Sequence, residues 1–200
     1  MNIKVIKEDI TKLNVDIIVN AANKSLLGGG GVDGAIHRAA GRDLYKECLT
    51  LGGCETGEAK MTNAYNLPCK KIIHTVGPVY NGGKYNEDVK LINCYKNSMI
   101  LAKQYMIDNN LERVSIAFPC ISTGVYHYPK REAAVIAVNT VKEFINDNID
   151  VLFCMFFRWW LSNLFRFTQI KKDSSSFYIV FISSSTFIFK SSRVPSLFIM

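Results

Sequence analysis

Three histidines, and no two cysteines spaced as Cys-x-x-Cys, leave this 200-residue chain poor in the materials of a zinc-held domain. The six cysteines (Cys48, Cys54, Cys69, Cys94, Cys120 and Cys154) are scattered, and no zinc-ligand cluster is apparent from the sequence. Long apolar runs are missing too. "FYIVFI", the longest in the C-terminal stretch, falls far short of a bilayer span, so no membrane association is expected. The opening "MNIKVIKEDITKL" carries charges where a signal peptide needs an apolar stretch, which points to free thiols in a reducing cytoplasm. Acids are nearly absent from residue 157 onward. Residues 157–200 hold six Lys/Arg against Asp173 alone, so only +2 of the formal net charge of +7 belongs to residues 1–156. The basicity is that of a tail, and nucleic-acid binding is not expected from it.

What is present is a length suited to one domain with a proper core. "IKVIK" at 3–7 alternates as a half-buried strand, and "VDIIVNAA" at 15–22 is dense enough for a strand buried on both faces. Asp33 to Ala40 reads as a short helix, continued after Gly41 by "RDLYKECLTL". Strands follow within 59–68 and 70–80, then a long amphipathic helix over 86–106 with Val89, Ile92, Tyr95, Met99 and Ala102 on its apolar stripe. A buried strand at 113–119 leads into "CISTGVYHYP". Pro129 then starts a helix to Phe144, and 150–156 forms the last strand. Alternating strand and helix patterns predict a layered α/β domain with a largely parallel sheet.

Residues 20–41, "NAANKSLLGGGGVDGAIHRAAG", concentrate the chemistry. Four glycines let a ligand approach the backbone closely, and the helix after them points free N–H groups back at the loop, where an anion is favoured. Residues 29–34 match G-x-G-x-x-G, but neither the distance from the strand nor a following ribose-binding acid fits a dinucleotide fingerprint. A second loop, "ISTGVY" at 121–126, offers two hydroxyls, a glycine and backbone amides after a buried strand. Two such loops at the carboxyl ends of neighbouring parallel strands would face one crevice and suit a diphosphate. Taken alone, either loop is also compatible with a tight turn. Asp33 and His37, four apart, share a helix face, and Asn23 lies across the glycines. They suit the handling of a water and a sugar hydroxyl, or else a helix cap and a surface or core histidine. His74, on an apolar strand, reads as a satisfied core histidine.

"DIIVNAANKSLLGGGGVDGAIHRAAG", "ETGEAKMTNAYNLPCKKIIHTVGPVY" and "SIAFPCISTGVYHYP" resemble a macrodomain of the MacroD type, collinearly from about residue 3 to residue 156. The resemblance implies a three-layer α/β/α fold with a mixed, largely parallel central sheet. It implies ADP-ribose or O-acetyl-ADP-ribose as ligand, with mono-ADP-ribosylated proteins as possible partners. It also implies hydrolysis of esters on the distal ribose, without a cofactor or metal. By the family pattern Asp9 accepts from the adenine amino group beside Ile10. Gly30, Gly31 and Val32 wrap the diphosphate and distal ribose. Ser122, Thr123, Gly124, Val125 and Tyr126 close over the ligand, and Phe156 stands against the adenine. Asn23 holds a ribose hydroxyl, Asp33 positions the attacking water and His37 supports it. His127 departs from the pattern: many relatives carry glycine there, so a positive φ at that position would strain the loop.

From residue 157 the sequence departs altogether. The closing amphipathic helix of the family is absent from "FRWWLSNLFRFTQIKKDSSSFYIVFISSSTFIFKSSRVPSLFIM", and β-prone uncharged segments stand in its place. Residues 1–156 are therefore expected to form a macrodomain without that helix, and 157–200 an aberrant, poorly structured tail arising from a frameshift. Two rival functions follow: a reader that holds ADP-ribose without turning it over, and an inactive product of a damaged reading frame.

Overall fold

The computed structural model describes residues 3–144, 147–155 and 177–178. Its strands are β1 (Ile3–Ile6), β2 (Ile17–Ala22), β3 (Ala59–Asn63), β4 (Lys71–Val76), β5 (Val114–Phe118), β6 (Ile149–Cys154) and β7 (Phe177–Tyr178). The helices are α1 (Gly31–Ala40), α2 (Arg42–Thr50), α3 (Glu87–Asp108) and α4 (Lys130–Lys142), with a 3-10 turn at Ile10–Lys12. α1 starts two residues before the expected Asp33, taking Gly31 into its first turn.

The sheet order is β3-β4-β2-β5-β6-β1-β7. β4, β2, β5, β6 and β1 are mutually parallel, and β3 lies antiparallel on β4 at one edge. The two residues of β7 pair antiparallel with β1, Lys4 opposite Tyr178 and Val5 opposite Phe177. Apart from them, the expected aberrant tail falls outside the described residues.

Period-two alternation sorts the strand residues into two cores. Ile17, Val19, Ile73, Ile116, Phe118 and Phe153 join Leu91, Tyr95 and Met99 of α3 and Ala133, Ala137 and Val141 of α4. Ile18, Ile72 and Ala117 point the other way, onto Ile36 and Ala40 of α1 and Leu44 and Cys48 of α2. The result is the expected three-layer α/β/α sandwich. Each Val, Leu, Ile, Phe or Met among them, buried completely, contributes about 1.5–3 kcal/mol. At the β6–β1 edge burial is uneven: Val5, Val151 and Phe153 are buried on the α3/α4 side, whereas Ile6 and Leu152 are only partly covered.

The long helix corrects the sequence reading. Its inward face is Leu91, Cys94, Tyr95, Ser98, Met99 and Ala102, while Val89 is 48 % exposed and Ile92 only partly buried. Ser98 hides the stripe because it is polar by composition, yet its hydroxyl donates to the Cys94 carbonyl at 2.7 Å and so can be buried. Among the described residues no helix is long and apolar enough to cross a membrane.

The topology matters for function in one respect. Asp9 follows β1, the glycine loop follows β2, Gly77 follows β4, residues 119–128 follow β5 and Met155 follows β6. All five lie beyond the carboxyl ends of parallel strands, where open α/β sheets bind their ligands.

Candidate active site

The loop after β2 is shaped by Asn23. Its Nδ2 donates to the Gly28 carbonyl at 2.8 Å. Its Oδ1 accepts from the Ser25 N–H and hydroxyl at 3.0 and 2.6 Å. Leu26, at φ +62° and fully buried, plugs the loop into the α1/α2 core. Gly30 then sits at the N-cap of α1 without a side chain to cap it, leaving the first-turn N–H groups free for an anion. The helix lies hard against the loop: a Cβ on Gly34 would overlap the Gly29 carbonyl oxygen. A Cβ on Gly29 would come within 3.0 Å of Asp33 Oδ2 and 3.1 Å of Asn23 Nδ2, so these two groups converge on one small space.

Asp33 is 4 % exposed. Its Oδ1 accepts from Asn20 Nδ2 at 2.7 Å and lies 3.5 Å from His37 Nε2, which makes no hydrogen bond. Burial raises the Asp33 pKa, although the Asn20 hydrogen bond and nearby His37 pull it down. Asn20 Nδ2 also approaches His74 Nδ1 at 3.1 Å. The amide donor makes that nitrogen the acceptor and places the His74 proton on Nε2, facing Thr62 Oγ1 at 2.9 Å. Burial, and then His37, lower the His74 pKa to about 3, so the ring is neutral. His74 is thus the satisfied core histidine expected, and in addition it backs the amide that holds Asp33.

The second loop is braced from several sides. Ser122, buried at φ +62°, accepts the Tyr128 N–H at 2.9 Å through its carbonyl. The Thr123 hydroxyl donates to the Cys120 carbonyl at 3.0 Å. Tyr80 N–H donates to the Tyr126 carbonyl at 2.9 Å, and the rings of Tyr80 and Tyr128 lie 4.9 Å apart. A Cβ on Gly77 would collide with Ser122 Oγ, tying this loop to the end of β4. Val125, at the tip, is 84 % exposed. His127 adopts φ +55°, the left-handed conformation that its place in the sequence foreshadowed. Because β2 and β5 are paired parallel neighbours, the two loops follow adjacent strands at the same edge of the sheet.

Asp9 lies across β5 and β6 from the glycine loop, beyond β1. It caps the 3-10 turn, accepting the Thr11 N–H at 3.0 Å and the Thr11 hydroxyl at 2.7 Å, and these bonds lower its pKa. Beside it, Ile10 is buried. Phe156 lies outside the described residues. Among those residues, three buried side-chain atoms have no hydrogen-bond partner: Asn20 Oδ1, His37 Nε2 and Ser122 Oγ. All three belong to the groups just described.

The sequence reading missed Asn20, although a polar residue inside the apolar run "DIIVNAA" was the available signal. It also missed a cluster of potential metal ligands: His37, Cys48 and His74 offer atoms within 4.8 Å of one another. Their separation along the chain hides their proximity.

A mostly parallel sheet ending in two braced, amide-rich loops, with a buried carboxylate at the start of a helix, defines an α/β domain built to hold a phosphorylated ligand. The chain belongs to the Macro domain family, whose profile matches residues 19–137. It is 58 % identical over 146 residues to a Macro domain-containing protein of Methanosarcina mazei, covering 73 % of this chain and 75 % of that one. It is 57 % identical over 155 residues to ADP-ribose glycohydrolase MACROD2 of Homo sapiens, covering 74 % of this chain but only 35 % of the relative. Among solved structures, a mutant Oceanobacillus iheyensis macrodomain with ADPR superposes with a TM-score of 0.73 at 44 % identity, over 80 % of this chain and 88 % of that one. A Trypanosoma brucei macrodomain in complex with ADP-ribose gives 0.71 at 40 % identity, over 81 % and 67 %.

Proposed function

We propose that this macrodomain is a hydrolase that binds ADP-ribose and cleaves esters on its distal ribose. Such substrates include O-acetyl-ADP-ribose and mono-ADP-ribose linked to acidic side chains of proteins. The observation that carries the reading is the buried Asp33 carboxylate, held by Asn20 and facing Asn23 across the space beside Gly29. The ligands and activity printed in the names of similar macrodomains support the same assignment.

In this reading the diphosphate lies over Gly30, Gly31 and Val32 and takes the free N–H groups of α1. Ser122 to Tyr126 cover it from the other side, and Asp9 receives the adenine amino group. Asp33 binds one water beside the distal ribose and takes its proton as it attacks; burial raises the carboxylate's basicity for that task. The water's oxygen adds to the electrophilic carbon of the ester linkage, and the proton passes to the departing oxygen. Asn20 keeps Asp33 aimed, and His37 borders the same pocket. Isotopically labelled water reports which carbon is attacked: label in the carboxylate means the acyl carbon, label in the sugar the anomeric carbon.

Replacing Asp33 by Ala abolishes ester hydrolysis while ADP-ribose still binds, as read by calorimetry beside a product assay. Undiminished turnover in that variant would remove Asp33 from the mechanism. ADP-ribose binding without turnover by the unmodified chain would make it a reader instead.

A further inference from the structure

Between α1, α2 and β4, behind Asp33, His37 and His74 meet a thiol that the hydrolytic reading does not use. Cys48 Sγ is 3.8 Å from His74 Nε2, and a nitrogen of each of His37 and His74 falls with that thiol inside 4.8 Å. Two imidazoles and a thiol form the donor set preferred by soft divalent ions rather than by magnesium or calcium. Tetrahedral zinc, with bonds of about 2.0–2.3 Å, holds such ligands roughly 3.3–3.6 Å apart. Cys48 and His74 are close to that spacing already, and the His37 ring must close by about 1 Å. Its Nε2 has no hydrogen bond to give up. Cys48 also lines a cavity of about 410 Å³ with Lys24, Leu27, Leu49 and Gly53. None of the residues assigned to the diphosphate forms its walls.

We propose that His37, Cys48 and His74 form an inhibitory site for a soft divalent metal ion of the zinc class. Coordination releases the Cys48 thiol proton to solvent. It also moves the His74 proton from Nε2 to Nδ1, which gives up the Nε2 hydrogen bond to Thr62 Oγ1. Asn20 Oδ1, the buried acceptor without a partner, accepts a hydrogen bond from that Nδ1–H once the amide rotates, and the rotation withdraws Nδ2 from Asp33. The metal therefore takes His37 away from the Asp33 side and unhooks the carboxylate in one step. That it inhibits rests on the hydrolase reading; that it binds does not.

The test titrates the full 200-residue chain with Co²⁺, a spectroscopic stand-in for zinc, and then with Zn²⁺. The expected result is a thiolate-to-cobalt charge-transfer band that saturates near one equivalent, disappears when Zn²⁺ displaces cobalt, and is absent from Cys48→Ser. Cys48→Ala is the second variant, and cooperative unfolding of either one qualifies it. Zinc affinity in these variants falls, because each removes one of the three ligand atoms. No band in the unmodified chain, or a band that survives both substitutions, overturns the site. Zn²⁺ is further expected to suppress ester hydrolysis by the unmodified chain and to spare Cys48→Ser. Equal suppression of both overturns the inhibitory role. A cobalt band on titration of a chain that, before metal is added, hydrolyses no ester would instead sink the hydrolase reading and leave the metal site standing.

Discussion

Replacing Gly34 by Ala tests whether α1 is pressed onto the glycine loop as described. In an ordinary exposed helix the change is favourable by about 0.5–1 kcal/mol, because alanine loses less backbone freedom on folding. Here the new Cβ would overlap the Gly29 carbonyl oxygen and come within 3.0 Å of Arg38 Nη1. The arginine tip can swing away; the carbonyl belongs to backbone that Asn23 fastens through Gly28. Overpacking of this kind costs about 1–3 kcal/mol, which exceeds the propensity gain. The net expectation is destabilisation of about 0–2.5 kcal/mol, or roughly 0–10 °C in melting temperature for a domain of this size. Displacement of Gly29 would also disturb the space between Asn23 and Asp33, so ADP-ribose binding weakens along with stability. Thermal unfolding with and without ADP-ribose reads both effects. A higher melting temperature with binding intact would refute the close approach.

Gly30→Ala gives the contrasting case. No atom lies within 4 Å of its added Cβ, and its φ of −91° suits any residue, so stability holds while ADP-ribose affinity falls. Unchanged affinity in calorimetry would take the diphosphate off this loop. Asp33→Asn is expected to raise stability at neutral pH by about 0.5–2 kcal/mol. Burial raises the Asp33 pKa, so the folded chain holds that proton more tightly and loses stability as pH rises through the folded value. Melting temperatures of the two proteins should converge below the ordinary Asp value of 3.8, and a constant gap down to lower pH would contradict the assignment. His74 acts with the opposite sign. Its pKa drops from 6.5 to about 3, so its stability contribution is complete above 6.5 and is lost as pH falls toward 3. His74→Gln should remove up to about 1.4 kcal/mol per pH unit from the acid slope of the stability profile. An unaltered slope would mean that the ring is not buried neutral.

The sandwich was legible because β2, β4 and β5 are short, β-branched, buried runs, and turn residues separate them from helical stretches. The two loops were legible as loops for a related reason: glycines and hydroxyls follow directly after buried strands. α3 misled because a chain composition cannot reveal that Ser98 would satisfy its hydroxyl internally, and Val89 was assigned to the core in its place. The support behind the site was less visible still. Asn20, His74, Thr62 and Cys48 come from three strands and a helix, and the pairing of β2 with β4 and of β4 with β3, with α2 packed on that face, brings them together. Asn20 is adjacent to His74 across the β2–β4 ladder, which no spacing along the chain would suggest.

Thermal unfolding of the 200-residue chain with and without ADP-ribose tests the central claim most directly. At about one hundred times its dissociation constant, a ligand that binds only the folded state adds about 2.7 kcal/mol. For a chain of this size that corresponds to a rise of roughly 5–11 °C in melting temperature. The account predicts one cooperative transition that moves up by this amount with ADP-ribose. A cooperative transition that stays in place at any ADP-ribose concentration would contradict it.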